Sequence, residues 1–117
     1  MAGGSASGGS IDRSSITVKN GSGPPQKTIS SRLGRTIYAN FYIKRPFRIG
    51  LPLTIEWIDP NGDVRARWRN KTAKTDVKGT RLYAYVTPAL YRNHLGRWTA
   101  RFSVNSVVKS QHRFTLT

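Results

Sequence analysis

Apolar and polar residues alternate one by one along most of this chain, and that two-residue period constrains its fold more than any other feature. In the clearest segment, from Thr36 to Lys44, the apolar positions are Ile37, Ala39, Phe41 and Ile43. A period of two places these side chains on one face of a β-strand, whereas an α-helix needs a period near 3.6. A helical period nowhere persists for three turns, so we predict an all-β protein.

The same alternation recurs in segments separated by turn-forming residues. It covers residues 14–19, 53–57, 64–69, 81–86, 97–104 and 107–117, with a further strand expected around 27–33. Asp59-Pro60-Asn61-Gly62 fits a tight hairpin turn, Asn105-Ser106 forms a second turn, and residues 89–95 can hold one helical turn. About seven strands with such spacing predict an antiparallel β-sandwich or barrel.

The three tryptophans, Trp57, Trp68 and Trp98, all fall at apolar positions of predicted strands. Large aromatic side chains on apolar strand faces usually pack in a core. We therefore predict that all three are core residues, and that Trp57 and Trp98 lie between the two sheets.

A length of 117 residues suits one domain with a modest core. We expect a flexible N-terminal linker at residues 1–13 and a single β-sandwich domain at residues 14–117. The first ten residues are rich in Gly and Ser, which is typical of engineered linkers as well as of flexible natural termini. We therefore expect that a natural signal or membrane anchor has been removed.

The last third of the chain carries a motif-like hairpin. It reads Gly96-Arg97-Trp98-Thr99-Ala100-Arg101-Phe102-Ser103-Val104, then a tight turn, then His112-Arg113-Phe114-Thr115-Leu116. This is similar to the closing hairpin of bacterial immunoglobulin-like and macroglobulin-like domains, and residues 34–117 resemble them in architecture. The chain departs from them in having no disulfide and a far higher charge. The resemblance implies an immunoglobulin-like β-sandwich and a non-catalytic role.

Charge is the most unusual property of the composition. The chain has 20 Lys and Arg against five Asp and Glu, which gives a formal net charge of +15. The basic residues run from Arg13 to Arg113 without forming a tail, so the charge belongs to the folded surface. Such an excess attracts nucleic acid, anionic lipid headgroups or acidic polymers.

Three outward-facing sets of residues are the candidate polyanion-binding site. They are Arg65, Arg67 and Arg69; Arg97 and Arg101; and Arg81, Tyr83 and Tyr85. Guanidinium groups at every second strand position lie about 6–7 Å apart, close to the spacing of phosphates along one nucleic-acid strand. Tyr beside Arg suits the stacking of a base or sugar. Alternatively, Arg and Tyr are only favourable outward residues that discourage pairing between sheet edges.

Enzyme chemistry is not indicated. There is no cysteine, and the acids are scattered, as are the two histidines, His94 and His112. These residues give no metal-ligand spacing and no pairing of a nucleophile with a base. We expect no catalytic residue, no metal, no cofactor and no small-molecule substrate.

These patterns predict a non-catalytic binding module whose partner is a polyanion. Nucleic acid is the first candidate, followed by acidic envelope polymers and lipid headgroups. The alternative is a structural component of a bacterial cell-envelope or secretion assembly that docks on acidic protein partners. For either function, we expect a location in the periplasm or at the cell surface.

Overall fold

A computed structural model of the protein describes residues 8–20 and 23–117. The chain forms eight strands and one short helix in these ranges. In chain order they are β1 Ser10–Thr17, β2 Thr28–Ile29, β3 Ile37–Arg45, β4 Pro52–Ile58, β5 Val64–Lys71, β6 Arg81–Val86, α1 Pro88–Tyr91, β7 Gly96–Val104 and β8 Val107–Leu116. Among the described residues, no helix has the length and apolar character needed to cross a membrane.

The strands form two sheets. One has three strands in the order β1-β3-β6, and the other has five in the order β2-β8-β7-β4-β5. All neighbouring strands are antiparallel except β2, which pairs parallel with β8. The architecture is therefore a β-sandwich, as the alternation predicts, with a single parallel pair that the sequence did not indicate.

The core lies between the two sheets and is built from the apolar positions of the alternating segments. Phe41 of the three-stranded sheet packs against Phe102 of the five-stranded sheet, with ring centroids 5.2 Å apart. Trp57 and Trp98 are 1% and 0% exposed and both pack against Phe114. The prediction that these two tryptophans lie between the sheets is confirmed.

Two tight turns join strands of the five-stranded sheet. The Asp59 side chain accepts hydrogen bonds from the backbone N–H groups of Asn61 and Asp63, both at 2.9 Å, and so closes the β4–β5 hairpin. Asn105 and Ser106 join β7 to β8 with φ angles of 53° and 66°. Two successive residues with positive φ fit the right-handed twist of a hairpin. Both turns are where the sequence predicts them.

The structure corrects two strand boundaries near the N-terminus. β1 begins at Ser10, inside the segment predicted as a linker, because β-bulges let Ser10 and Ile11 pair with β3 although their alternation is broken. Residues 8 and 9 precede the strand, and residues 1–7 of that predicted linker lie outside the described residues. The strand expected at 27–33 is only Thr28–Ile29, followed by a 3₁₀ turn at Ser31–Leu33. The Ser31 N–H and hydroxyl both donate to the Thr117 carbonyl, and the chain then turns, with the Leu33 N–H donating to the Ser30 carbonyl at 3.3 Å.

The inner face of β5 is less covered than that of β4. On β4 the inward side chain of Trp57 is buried, whereas on β5 the inward side chains of Ala66 and Trp68 are only half-buried. β5 is the last strand of its sheet, and the sheet above it ends at β6. The prediction that Trp68 is a core residue is therefore correct only in part: Trp68 packs against the core but is half-buried, because its strand lies at an edge.

Candidate functional site

The outer face of the five-stranded sheet carries arginines from three strands. The strand registers place Arg67 of β5 and Arg101 of β7 on either side of Glu56 on β4. We call this surface the arginine face. Its arginines are Arg67, Arg69, Arg97, Arg101 and Arg113, whereas Arg65 lies in a β-bulge that interrupts the register of β5. The structure thus brings together two predicted sets except for Arg65, and it adds Arg113, which the alternation with the buried Phe114 could have revealed.

Glu56 holds two of these arginines in place. Its Oε1 accepts hydrogen bonds from Arg101 Nε at 3.1 Å and Nη2 at 2.8 Å, and its Oε2 accepts one from Arg67 Nε at 2.8 Å. Burial alone would raise the pKa of Glu56, but the hydrogen bonds from Arg101 and Arg67 outweigh it and lower that pKa below its usual value. Arg67 and Arg101 are therefore oriented side by side, with part of their charge already balanced.

Arg65 has a structural partner as well. Its Nε donates to Asp59 Oδ2 at 2.6 Å, and its Nη2 lies 3.7 Å from Asp63 Oδ2. Burial would raise the pKa of Asp59, but the hydrogen bonds from Arg65 and from the N–H groups of Asp63 and Asn61 lower it overall. Arg65 therefore stabilises the β4–β5 turn, and it is the least available of the predicted anion-binding arginines.

The remaining arginines of the face are exposed. Among the described residues, no carboxylate forms an ion pair with Arg69, Arg97 or Arg113. Arg69 lies across from the hydroxyl of Thr54, which in turn faces Ser103. A groove of about 370 Å³ runs over these hydroxyls and is bordered by Arg67, Arg69 and Arg101. Guanidinium and hydroxyl donors around a shallow groove suit phosphate or carboxylate oxygens.

The third predicted set lies on the other sheet. Arg81, Tyr83 and Tyr85 are outward residues of β6, so the structure does not place them on the arginine face. The guanidinium of Arg81 lies over the Tyr83 ring, 3.9 Å from its centroid. Tyr38 of β3 packs against both Tyr83 and Tyr85, with centroids 6.3 and 5.8 Å apart.

Two further residues extend this aromatic surface. The Arg13 guanidinium of β1 lies 3.8 Å from the ring centroid of Tyr42 on β3. Neither Tyr42 nor Tyr38 was among the predicted site residues, although the alternation of β3 turns both outward. We call the surface formed by these rings the tyrosine face: Tyr38, Tyr42, Tyr83 and Tyr85. It lies on the opposite side of the sandwich from the arginine face.

A cleft of about 590 Å³ opens between the edge strands β5 and β6. Its floor is apolar, with Ala66 and Trp68 from β5 and Leu82 and Ala84 from β6. Four predicted site residues border it: Arg67, Arg81, Tyr83 and Tyr85. We call this opening the edge cleft. It is the place where predicted residues of the two sheets come close together.

Trp57 also lines the edge cleft. Its indole Nε1 is buried and has no hydrogen-bond partner among the described residues. By contrast, Trp98 Nε1 donates to the His94 carbonyl at 2.6 Å. A buried N–H group without an acceptor costs free energy, so it marks a position where a bound group could supply one.

The two histidines contact different residues and do not form a common site. His94 Nδ1 is 3.9 Å from Asp59 Oδ2, and His112 Nδ1 is hydrogen-bonded to Ser14 Oγ at 2.8 Å across the opposite open side of the sandwich. Burial lowers the pKa of His112. Within residues 8–20 and 23–117, no group of three or more His, Asp or Glu residues could hold a metal ion.

Comparison with solved structures identifies the architecture. The chain is similar to an immunoglobulin-like protein from Pseudomonas aeruginosa, with a TM-score of 0.63 and 10% identity over 93% of this chain and 96% of that one. This is an immunoglobulin-like β-sandwich. The predicted fold class is therefore confirmed, and the likeness at this identity shows the fold alone.

The sandwich is also similar to part of a larger protein. The alkylpurine DNA glycosylase AlkC of Pseudomonas fluorescens, solved bound to DNA with an abasic-site analogue, matches 93% of this chain with a TM-score of 0.52 and 18% identity. The match spans 30% of the glycosylase chain. No protein-family model and no curated protein matches the sequence.

Proposed function

We propose that this immunoglobulin-like sandwich is a non-catalytic binding module whose arginine face holds a polyanion, with nucleic acid as the first candidate. The observation that carries the proposal is the convergence of arginines from β5, β7 and β8 on one sheet face, where the strands contribute a single carboxylate, Glu56. A surface of one charge sign raises the local concentration of counter-charged ligands and speeds their association.

The geometry suits contacts to a nucleic-acid backbone more than to bases. Arginines at alternate positions of β5 lie about 6–7 Å apart along the strand, near the spacing of successive phosphates. The hydroxyls of Thr54 and Ser103 lie between the arginines and can donate to phosphate oxygens. The rings of the tyrosine face belong to the other sheet, so binding at the arginine face should depend little on base sequence.

The exposed arginines without carboxylate partners provide the test. We expect a fluorescein-labelled twenty-nucleotide oligo-dT to bind with an affinity that falls steeply with KCl concentration. The triple variant Arg69→Gln, Arg97→Gln and Arg113→Gln should lower the slope of log affinity against log salt by about 2, since each contact contributes about 0.7 on a single strand. Fluorescence anisotropy across a salt series measures both quantities.

A matched control removes the same charge elsewhere. Arg32, Arg45 and Arg92 are exposed and lie outside the arginine face. Their replacement by Gln should change the slope by less than half as much as the first triple variant. Equal effects of the two variants would contradict a localised site. At ~150 mM KCl long-range charge attraction is largely screened, so only binding through direct contacts to the site persists. Absence of any complex at that salt concentration would contradict nucleic-acid binding.

Acidic envelope polymers and lipid headgroups are alternative ligands for the same face. Heparin and vesicles containing phosphatidylglycerol can replace the oligonucleotide with the same two triple variants. We infer a periplasmic or cell-surface location from the resemblance to bacterial immunoglobulin-like and macroglobulin-like domains. Fractionation of cells that express the complete gene tests this location.

A second candidate function is assembly with an acidic protein partner. The edge cleft favours it, because half-buried apolar side chains there lie beside unpaired strand edges and arginines. Apolar residues bordered by Arg and Tyr are common in protein interfaces. This surface shares only Arg67 with the arginine face, so the two functions can be tested separately with variants that keep Arg67.

A further inference from the structure

The edge cleft is bounded by the free edges of both sheets. β6 pairs with β3 and β5 pairs with β4, and each is the last strand of its sheet. The chain between them, residues 72–80, does not fill the gap. Its backbone instead bonds to β3 and to the loop before β4: the Gly79 N–H donates to the Ile43 carbonyl at 2.7 Å, and the Gly50 N–H donates to the Thr72 carbonyl at 2.8 Å.

The sheets differ in width at this side of the sandwich. The smaller sheet ends at β6, and no further strand of it covers β5, so the inward residues of β5 are only half-buried. One more strand beside β6 would lie about 4.8 Å from it and about 10 Å from β5, the normal spacings within and between sheets. It would cover Trp68 and Ala66. The cleft therefore has the place and dimensions of a missing fourth strand.

The side chains around this position are suited to a strand with two different faces. Toward the cleft, an added strand would meet Trp68, Leu82 and Ala84, which are apolar. On its outer face it would lie beside Arg81, Tyr83 and Tyr85 of β6, of which the tyrosines are 38% and 59% exposed. Apolar residues would therefore alternate with acidic or polar ones in the matching segment.

We propose that β6 accepts an extended segment of an acidic partner protein as a fourth strand, with alternate apolar side chains filling the edge cleft. Backbone hydrogen bonds to the edge of β6 supply affinity, and the alternating side chains supply specificity. β6 has six residues, so a segment of similar length covers it. An acidic residue of this segment pairs with the guanidinium of Arg81 or Arg67.

Charge argues against a second copy of this chain as the occupant. Each copy carries a formal charge of +15, and edge-to-edge pairing would bring Arg67 and Arg81 of both copies close together. Like charges on neighbouring strands are destabilising, whereas opposite charges are favourable. The same arginines that exclude self-association therefore favour an acidic strand. This proposal develops the assembly function and does not depend on the arginine face.

A designed peptide provides the probe. It has nine residues in which Val alternates with Glu, and it carries an N-terminal fluorescein. We expect saturable binding by anisotropy, a blue shift of Trp68 fluorescence with unlabelled peptide, and slower hydrogen exchange of β6 backbone amides. The blue shift should be lost in Trp68→Phe, since Trp57 and Trp98 are already buried.

Two matched peptides test the mode of binding. A peptide with the same side chains but N-methyl groups at alternate backbone nitrogens cannot donate to a strand edge, and it should bind at least tenfold more weakly. A peptide with Lys in place of Glu should also bind at least tenfold more weakly. Equal binding of the N-methylated peptide would overturn the proposal, because the contact would then not be strand addition.

Two variants locate the site. Leu82→Glu places a charge on the cleft floor and should reduce binding at least tenfold, whereas Val108→Glu, an exposed apolar position outside the cleft, should not. Unchanged binding by Leu82→Glu, verified as folded by circular dichroism, would overturn the assignment. If oligo-dT and not the Val-Glu peptide protects the β6 amides, the occupant is nucleic acid and the proposal is wrong. The triple variant at Arg69, Arg97 and Arg113 should bind the peptide normally, which separates this test from that of the arginine face.

Discussion

Arg81 Nε donates a hydrogen bond of 2.6 Å to Oδ1 of Asn40, a side chain that is 0% exposed. The amide nitrogen of Asn40 in turn donates to the Ser15 carbonyl at 3.3 Å and to the Thr17 hydroxyl at 3.1 Å. Asn40 therefore links all three strands of the smaller sheet. It also fixes the stem of Arg81, so that the guanidinium lies over the Tyr83 ring.

Replacement of Asn40 by Ala should destabilise the smaller sheet. The variant leaves buried polar groups on β1 without partners, which costs about 1–3 kcal/mol of the free energy of unfolding. Urea denaturation followed by circular dichroism measures this cost. The exposed Asn93 provides a control, and Asn93→Ala should change stability by less than about 0.5 kcal/mol. Equal stability of the two variants would show that the Asn40 hydrogen bonds contribute little.

Replacement by Phe should destabilise the protein to different extents at the two buried tryptophans. Replacing either Trp57 or Trp98 by Ala should cost about 3–5 kcal/mol, the usual range for a core aromatic residue. Trp98→Phe should cost about 1 kcal/mol more than Trp57→Phe, because it removes the donor to the His94 carbonyl while Trp57 Nε1 has no partner to lose. Guanidinium unfolding curves of the four variants test both statements. A larger cost for Trp57→Phe would show that its N–H is satisfied in solution.

Glu56→Gln should strengthen binding at the arginine face. The substitution removes the carboxylate that balances Arg67 and Arg101 and leaves both guanidiniums free for phosphate. We expect the oligo-dT salt slope to rise by about 1, since two contacts on a single strand contribute roughly 1.4 at most. Asp12→Asn removes one exposed negative charge from β1 and serves as the control. Anisotropy should show a smaller change for that variant, and an equal change would mean that only net charge matters.

Stability should fall as the pH drops below about 6.5, the ordinary pKa of histidine. Burial lowers the pKa of His112 in the folded protein, so the unfolded chain takes up a proton first as the pH falls. The free energy of unfolding therefore decreases from that pH until the folded-state pKa is passed. His112→Gln should flatten this decline between pH 7 and 5, and His94→Gln should retain it. Urea midpoints at several pH values provide the measurement, and an unchanged decline in His112→Gln would exclude this cause.

Local patterns predicted the strands because each strand buries one face. The alternation of Ile37, Ala39 and Phe41 reports directly which side chains enter the core, and these residues are fully buried. Trp68 shows the limit of that reasoning. Its strand alternates as clearly as the one containing Trp57, but burial also requires an opposing strand. The order of strands in a sheet depends on pairings between distant segments, which alternation does not encode.

The candidate site was predictable to a similar degree. The outward alternation correctly placed Arg67, Arg69 and Arg101 on the outer face of their strands, because alternation is a property of one strand. It did not reveal that Arg81 and Tyr83 belong to the other sheet, since that depends on topology. Nor did it reveal the partner of Arg65, because the Asp59 carboxylate reaches it through the geometry of a turn.

The turn formed by Asn105 and Ser106 has a consequence for how fast different parts of the protein can form. It joins β7 and β8 directly, so their pairing closes a very short loop. The pairing of β3 with β6 closes a much longer loop, because β6 lies far along the chain. Short loops close with little loss of chain entropy, and hairpins form within about 1–10 μs. The β7–β8 hairpin is therefore expected to be structured in the folding transition state. The three-stranded sheet, whose pairings are all distant in sequence, should assemble on it afterwards and set the overall rate.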